Sequence, residues 1–187
     1  MNNTAIIPGS ISAISTASGK SLAESFLNCD IVTIIDVSGS MNTHDSRNNQ
    51  SRYDVACEEL AHIQKANPGK IAVVSFSDTT QFCPGGIPIM QGDGTKLAHA
   101  LAFVKVADVP GMRFILVSDG RPDNEQEALN MARTFKNKID VIYVGPEGDT
   151  HGAQFLAQLS AATGGTQITI DRARELKSGF EKLLLKG

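Results

Sequence analysis

The sequence predicts an open, doubly wound α/β fold: a six-stranded, mostly parallel sheet with one short antiparallel edge strand and helices on both faces. Two observations predict it. From Cys29 onward, apolar runs suited to buried strands alternate with segments of helical periodicity. One connection, Asp78-Thr79-Thr80, is too short for a parallel crossover, so the strand it reaches must turn back along its neighbour.

The first strand lies in IVTIIDVSGS, where Ile31–Ile35 form the nearly continuous apolar run expected of a strand buried on both faces. Ser51 then opens S-x-x-D with Asp54, a capping-box-like start. Val55, Ala56, Leu60 and Ile63 share one face of the helix that follows, and Asn67-Pro68-Gly69 stops it. Ile71–Phe76 is the second strand, and Gln81-Phe82-Cys83, ended by Pro84, is the antiparallel edge strand. Leu97, Leu101 and Val104 line a second helix, and Phe114–Val117 is the next strand. Ala128, Met131, Ala132 and Phe135 line a third helix before the strand Ile139–Val144. Phe155, Leu156, Leu159 and Ala162 line a fourth, before a weaker strand at Gln167–Ile170. A last amphipathic helix, about Ala173–Leu185, carries Leu176, Phe180, Leu183 and Leu184. Residues 1–28, rich in Ser, Ala, Thr and Gly, read as an N-terminal arm or linker, and residues 29–187 as one domain.

Composition narrows the function classes. A net charge of −3 leaves no electrostatic footprint for nucleic acid or for an anionic membrane. No apolar run approaches the ~20 residues that span a bilayer. The start of the chain lacks a basic leader and a long apolar core. Cys29, Cys57 and Cys83 are widely spaced, which favours reduced thiols over a disulfide framework. The expectation is a cytoplasmic protein.

The chemistry concentrates where strands end. Asp36, Ser38 and Ser40 leave the carboxyl end of the first strand, the end at which open α/β sheets bind ligands. The strand Phe114–Val117 also runs into an acid, Asp119, within SDGRPD. Thr95 follows Gly92-Asp93-Gly94 and leads into a helix, so the glycines let the backbone aim its hydroxyl. Two carboxylates and three hydroxyls, without His or Cys, form a hard-oxygen set that suits Mg²⁺, Mn²⁺ or Ca²⁺ and disfavours zinc. Asp93 and Asp123 read as turn formers bonding their own backbone. His44 reads as an exposed loop residue, and His62, His99 and His151 as surface or capping residues.

Asp36-x-Ser38-x-Ser40, then Thr95, then Asp119 resembles the metal-ion-dependent adhesion site of von Willebrand factor A domains, the fold also found as integrin I domains. The resemblance runs from about Cys29 to the C-terminus. It implies that Ser38 and Ser40 ligate the metal directly, and that Asp36 acts through water and by fixing the hydroxyls. Thr95 and Asp119 would approach the metal directly or through water. It further implies a protein partner offering an Asp or Glu carboxylate to the metal. Similar stand-alone domains in bacteria and phages work beside larger machines, including AAA+ ATPases, or in stress and conflict systems. The polar loop Met41–Gln50 is longer than the family often shows at this point.

Two other classes are weighed against this one. A phosphotransferase resembling the haloacid dehalogenases needs D-x-D, and the second position here is Ser38, which removes the proton-transfer group. No G-x-S-x-G elbow exists, and Gly92-Asp93-Gly94 does not follow a strand as a dinucleotide fingerprint requires. A metal-free scaffold that uses the fold for packing alone is the second alternative. The sequence therefore predicts a binding module and not an enzyme.

Overall fold

The computed structural model describes residues 6–45, 47–92, 94–145 and 148–169, together with Lys182. Six strands form one sheet: β1 (Ile31–Asp36), β2 (Ile71–Phe76), β3 (Thr80–Phe82), β4 (Arg113–Ser118), β5 (Ile139–Tyr143) and β6 (Gln167–Thr169). They lie in the order β3-β2-β1-β4-β5-β6. All neighbours run parallel except β2 and β3. The α-helices among the described residues are α1 (Ile11–Ser18), α2 (Leu22–Phe26), α3 (Arg52–Ala66), α4 (Leu97–Val104), α5 (Glu125–Ala132) and α6 (Thr150–Ala162).

Side chains alternate across each strand, so the sheet has two cores. On one face Val32, Ile34, Val74, Phe114, Leu116 and Val141 pack with the apolar sides of α4, α5 and α6. On the other, Ile31, Ile35, Val73, Ile115, Val117 and Ile142 pack with Val55, Ala56, Leu60 and Ile63 of α3. Every residue of β1 and β2 is buried, which is why both read as nearly continuous apolar runs, interrupted only by Thr33 and Ser75 before Asp36 ends the first. The predicted capping box is present at α3: Ser51 Oγ accepts from the Asp54 N–H at 3.0 Å and Asp54 Oδ2 accepts from the Ser51 N–H at 3.4 Å.

Three details depart from the periodicity. The edge strand is Thr80–Phe82, one residue earlier than predicted, although the Cys83 N–H still donates to Val73 O at 2.8 Å and its Sγ lies 3.3 Å from Ser75 Oγ. Helix α5 ends at Ala132, yet Phe135 still reaches the core, meeting Phe114 edge-on at 5.1 Å between ring centroids. The first 28 residues contain α1 and α2 and are tied to the domain by main-chain bonds Ile7 N–H to Gly85 O, Ser12 N–H to Pro84 O and Gly69 N–H to Gly9 O. Ile11 of α1 is buried within the first core. The helix predicted at Ala173–Leu185 lies outside the described residues, apart from Lys182.

The strand order positions the site. The chain leaves β1 for β2 on one side and returns to place β4 on the other. The carboxyl ends of β1 and β4 therefore flank the point where the winding reverses, the place at which open α/β sheets bind ligands. Asp36 and Asp119 both lie at it.

Candidate metal centre

Asp36 is the last residue of β1 and is 0% exposed. Its two oxygens are held by different loops. Oδ1 accepts the Ser38 N–H at 2.9 Å, closing a tight turn as the chain leaves the strand. Oδ2 accepts the Ser118 hydroxyl at 2.6 Å from the end of β4. The turn places Ser38 in an extended conformation at the head of a short 3₁₀ segment, Gly39–Asn42. Ser38 Oγ and Ser40 Oγ then lie 3.1 Å apart.

Asp119 follows β4 directly and is 6% exposed. Gly120 fixes the turn after it: its φ is +91°, its N–H donates to Ser118 Oγ at 3.0 Å, and a Cβ there would lie 2.5 Å from Gly152 O. Burial pushes the Asp36 carboxyl up to about 6, and the negative charge of Asp119 adds to the rise. Hydrogen bonds from Ser118 and Ser38 hold it down only in part. Two buried acids thus lie close enough for the charge of one to disfavour ionisation of the other.

Thr95, 8% exposed, is held in the Gly94-Thr95-Lys96 loop by atoms from two other segments. The Thr95 N–H donates to Asp123 Oδ1 at 3.0 Å, and the Asp123 N–H donates back to Thr95 O at 3.1 Å. Asp78 Oδ2 accepts the Gly94 N–H at 3.1 Å, and a Cβ on Gly94 would lie 2.1 Å from Asp78 Oδ1. Asp123 is therefore not a turn former bonding only its own backbone, as its place in SDGRPD suggests; its carboxylate ties the Thr95 loop to the Asp119 loop. Asp93 lies outside the described residues. His44 Nδ1 lies 2.9 Å from Asn49 O, and His151 pairs with Glu125 at 2.6 Å.

Sequence reasoning does not find Arg52. This first residue of α3 is 3% exposed, and its guanidinium forks between two acids. Nε and Nη2 bond Asp45 Oδ1 and Oδ2 at 3.0 and 2.7 Å, while Nη1 bonds Asp119 Oδ2 at 3.1 Å. A signal was available: the first turn of a helix disfavours a cation, so an arginine there calls for an acidic partner.

The residues present fit a hard divalent cation. The donors are carboxylate and hydroxyl oxygens, and the acids are buried close enough for one to raise the pKa of the other. Among the described residues no three His, Cys, Asp or Glu side chains gather as a metal cluster, and the candidate set has two acids with three hydroxyls.

No protein-family model matches the sequence, and no curated protein does. Solved structures do match the fold. BatB from Bacteroides thetaiotaomicron aligns over 83% of this chain and 97% of its own, at 15% identity and a TM-score of 0.64. The VWA domain of SpRpn10 aligns over 84% of this chain and 94% of its own, at 15% identity and 0.58. The manganese-loaded TRAP protein of Plasmodium vivax aligns over 83% of this chain and 74% of its own, at 16% identity and 0.57. The likeness is one of fold. The chain has the α/β fold of von Willebrand factor A domains.

Proposed function

We propose that this domain is a protein-binding module that holds a divalent cation, Mg²⁺ or Mn²⁺ with Ca²⁺ also accommodated, and uses it to capture an Asp or Glu carboxylate of a partner protein. The observation that supports the reading most is the meeting of Asp36, the Ser38–Ser40 hydroxyl pair and Asp119 at the reversal of the winding. The manganese-loaded neighbour adds support from the fold.

Ser38 and Ser40 would hold the ion through their hydroxyls. Thr95 and Asp119 would complete the protein side directly or through water. Asp36, with both oxygens already engaged by Ser38 and Ser118, would orient that arrangement and contribute charge. When bound, the cation supplies an electrophilic position for a carboxylate. Mg²⁺ takes six oxygens, more than these side chains supply one each, so positions remain for water and for the partner. Ser38 stands where a phosphotransferase would need its second acid, so the reading includes no turnover. The partner class extends to AAA+ ATPases and to components of stress or conflict systems. The setting proposed is cytoplasmic: Cys29, Cys57 and Cys83 are free thiols, and among the described residues no helix is long and apolar enough to cross a membrane.

The test is calorimetric titration of Mg²⁺ and Mn²⁺ into wild type, Ser38→Ala and Asp119→Ala. Binding that weakens sharply in both variants is expected. Equal affinity in all three overturns the reading. A pull-down in Mg²⁺ against chelator then identifies the partner.

A further inference from the structure

Arg52 is a strong charge at this site with no place in the metal-binding reading, and it is almost fully buried. A guanidinium buried between acids is retained only where its charge is compensated and its N–H groups are bonded. Here three of its nitrogens are bonded, and the two acids come from different places. Asp119 belongs to the candidate centre. Asp45 belongs to the polar loop Met41–Gln50, which joins the segment carrying Ser40 to α3. The long loop thus supplies the second acid that grips Arg52.

We propose that Arg52 is an internal cation that competes with the divalent ion for Asp119, and that Asp45 sets how strongly it competes. The inference rests on the metal-binding reading above. Asp119 Oδ2 carries the Arg52 bond, so an ion drawing on that carboxylate must share it with a positive charge already in place. The guanidinium reduces the negative potential that the ion meets. Asp45 acts in the opposite sense, neutralising Arg52 and holding it back through two bonds. Arg52 is a positioning residue: it keeps the Asp119 carboxylate ordered without an ion and sets a threshold for loading.

The two ends of this chain of charges therefore make opposite predictions. Removing the positive charge with Arg52→Met should tighten Mn²⁺ binding by at least about tenfold, the effect of a unit charge about 6 Å from a divalent ion even at the dielectric of water. Asp45→Asn leaves the guanidinium less neutralised and should weaken binding. A fork that served only to hold the loop in place would give weaker binding in both variants, because either change breaks it.

The experiment is Mn²⁺ titration by calorimetry of wild type, Arg52→Met and Asp45→Asn, with unfolding curves for each. If Arg52→Met does not fold, Arg52→Gln takes its place: it removes the charge and keeps an N–H donor, and the sign expected is the same. Tighter binding in the Arg52 variant with weaker binding in Asp45→Asn supports the competition. Unchanged or weaker binding in the Arg52 variant, with wild type still binding Mn²⁺, overturns the competition and leaves the metal-binding reading standing. Absence of binding in wild type with binding in the Arg52 variant supports both. Absence of binding in every protein at millimolar Mn²⁺ overturns both.

Discussion

Ser118 Oγ donates a 2.6 Å hydrogen bond to Asp36 Oδ2 across two adjacent parallel strands, and the same oxygen accepts the Gly120 N–H at 3.0 Å. One hydroxyl thus closes the β1 and β4 loops onto each other in a place without solvent. Ser118→Ala leaves a buried carboxylate oxygen and a buried N–H each short of a partner. A loss of about 1–3 kcal/mol in urea unfolding is expected. Ser118→Thr keeps the hydroxyl and should recover much of it; equal stability of wild type and Ser118→Ala would refute the account.

Gly120→Ala should be worse. Its φ of +91° strains any side chain, and the new Cβ would meet main-chain Gly152 O at 2.5 Å, which cannot swing aside as a side chain can. The expected loss is about 3 kcal/mol or more. Gly148→Ala is the control, since nothing lies within 4 Å of its Cβ position, and it should be close to neutral.

Asp108 predicts a pH dependence at the opposite end of the sheet. Burial works to raise its pKa, but bonds from Lys105 Nζ and from the Lys136 and Asn137 N–H groups outweigh burial and hold it at about 2. The Asn137 side chain adds a further bond at 2.8 Å. A carboxyl depressed in the folded state binds its proton more readily when unfolded. Its contribution is therefore present above the ordinary Asp value near 3.8 and is lost as pH falls toward 2. Asp108→Asn should remove about 2 kcal/mol at neutral pH and flatten the acid limb of stability between pH of about 4 and 2. An unchanged acid limb in the variant would show that other groups set it.

The purified domain should not hydrolyse phosphate esters in Mg²⁺, because Ser38 supplies no acid to protonate a leaving group. The measurement is release of p-nitrophenol from its phosphate. Turnover that disappears in Asp36→Ala would contradict both this expectation and the binding reading.

Strand positions, the hairpin and the buried helix faces were legible because each rests on a local pattern. Ile31–Ile35 is an apolar run interrupted only by Thr33, and Asp78-Thr79-Thr80 is too short to cross the sheet. The convergence of Asp36 with Asp119 follows from topology once the first and fourth strands are neighbours. What stayed hidden depends on distant pairing. Arg52 lies 67 residues from Asp119, and nothing local marks which acid it will meet. Asp123 looks like any turn former until the Thr95 loop is laid beside it, 28 residues away. The N-terminal segment was illegible for a related reason: helices of eight and five residues carry too little periodicity to be read, and packing against the domain holds them.

The exchange between Thr95 and Asp123 is asymmetric in what it uses. Residue 95 contributes only its main-chain N–H and C=O, whereas residue 123 contributes a carboxylate oxygen along with its N–H. The exchange thus places a demand on the side chain at 123, while at 95 the main chain alone joins the loops. The exchange leaves the Thr95 hydroxyl to the metal-binding role proposed for it. In related chains, position 123 should track the integrity of the loops, and position 95 should track the proposed binding of a metal.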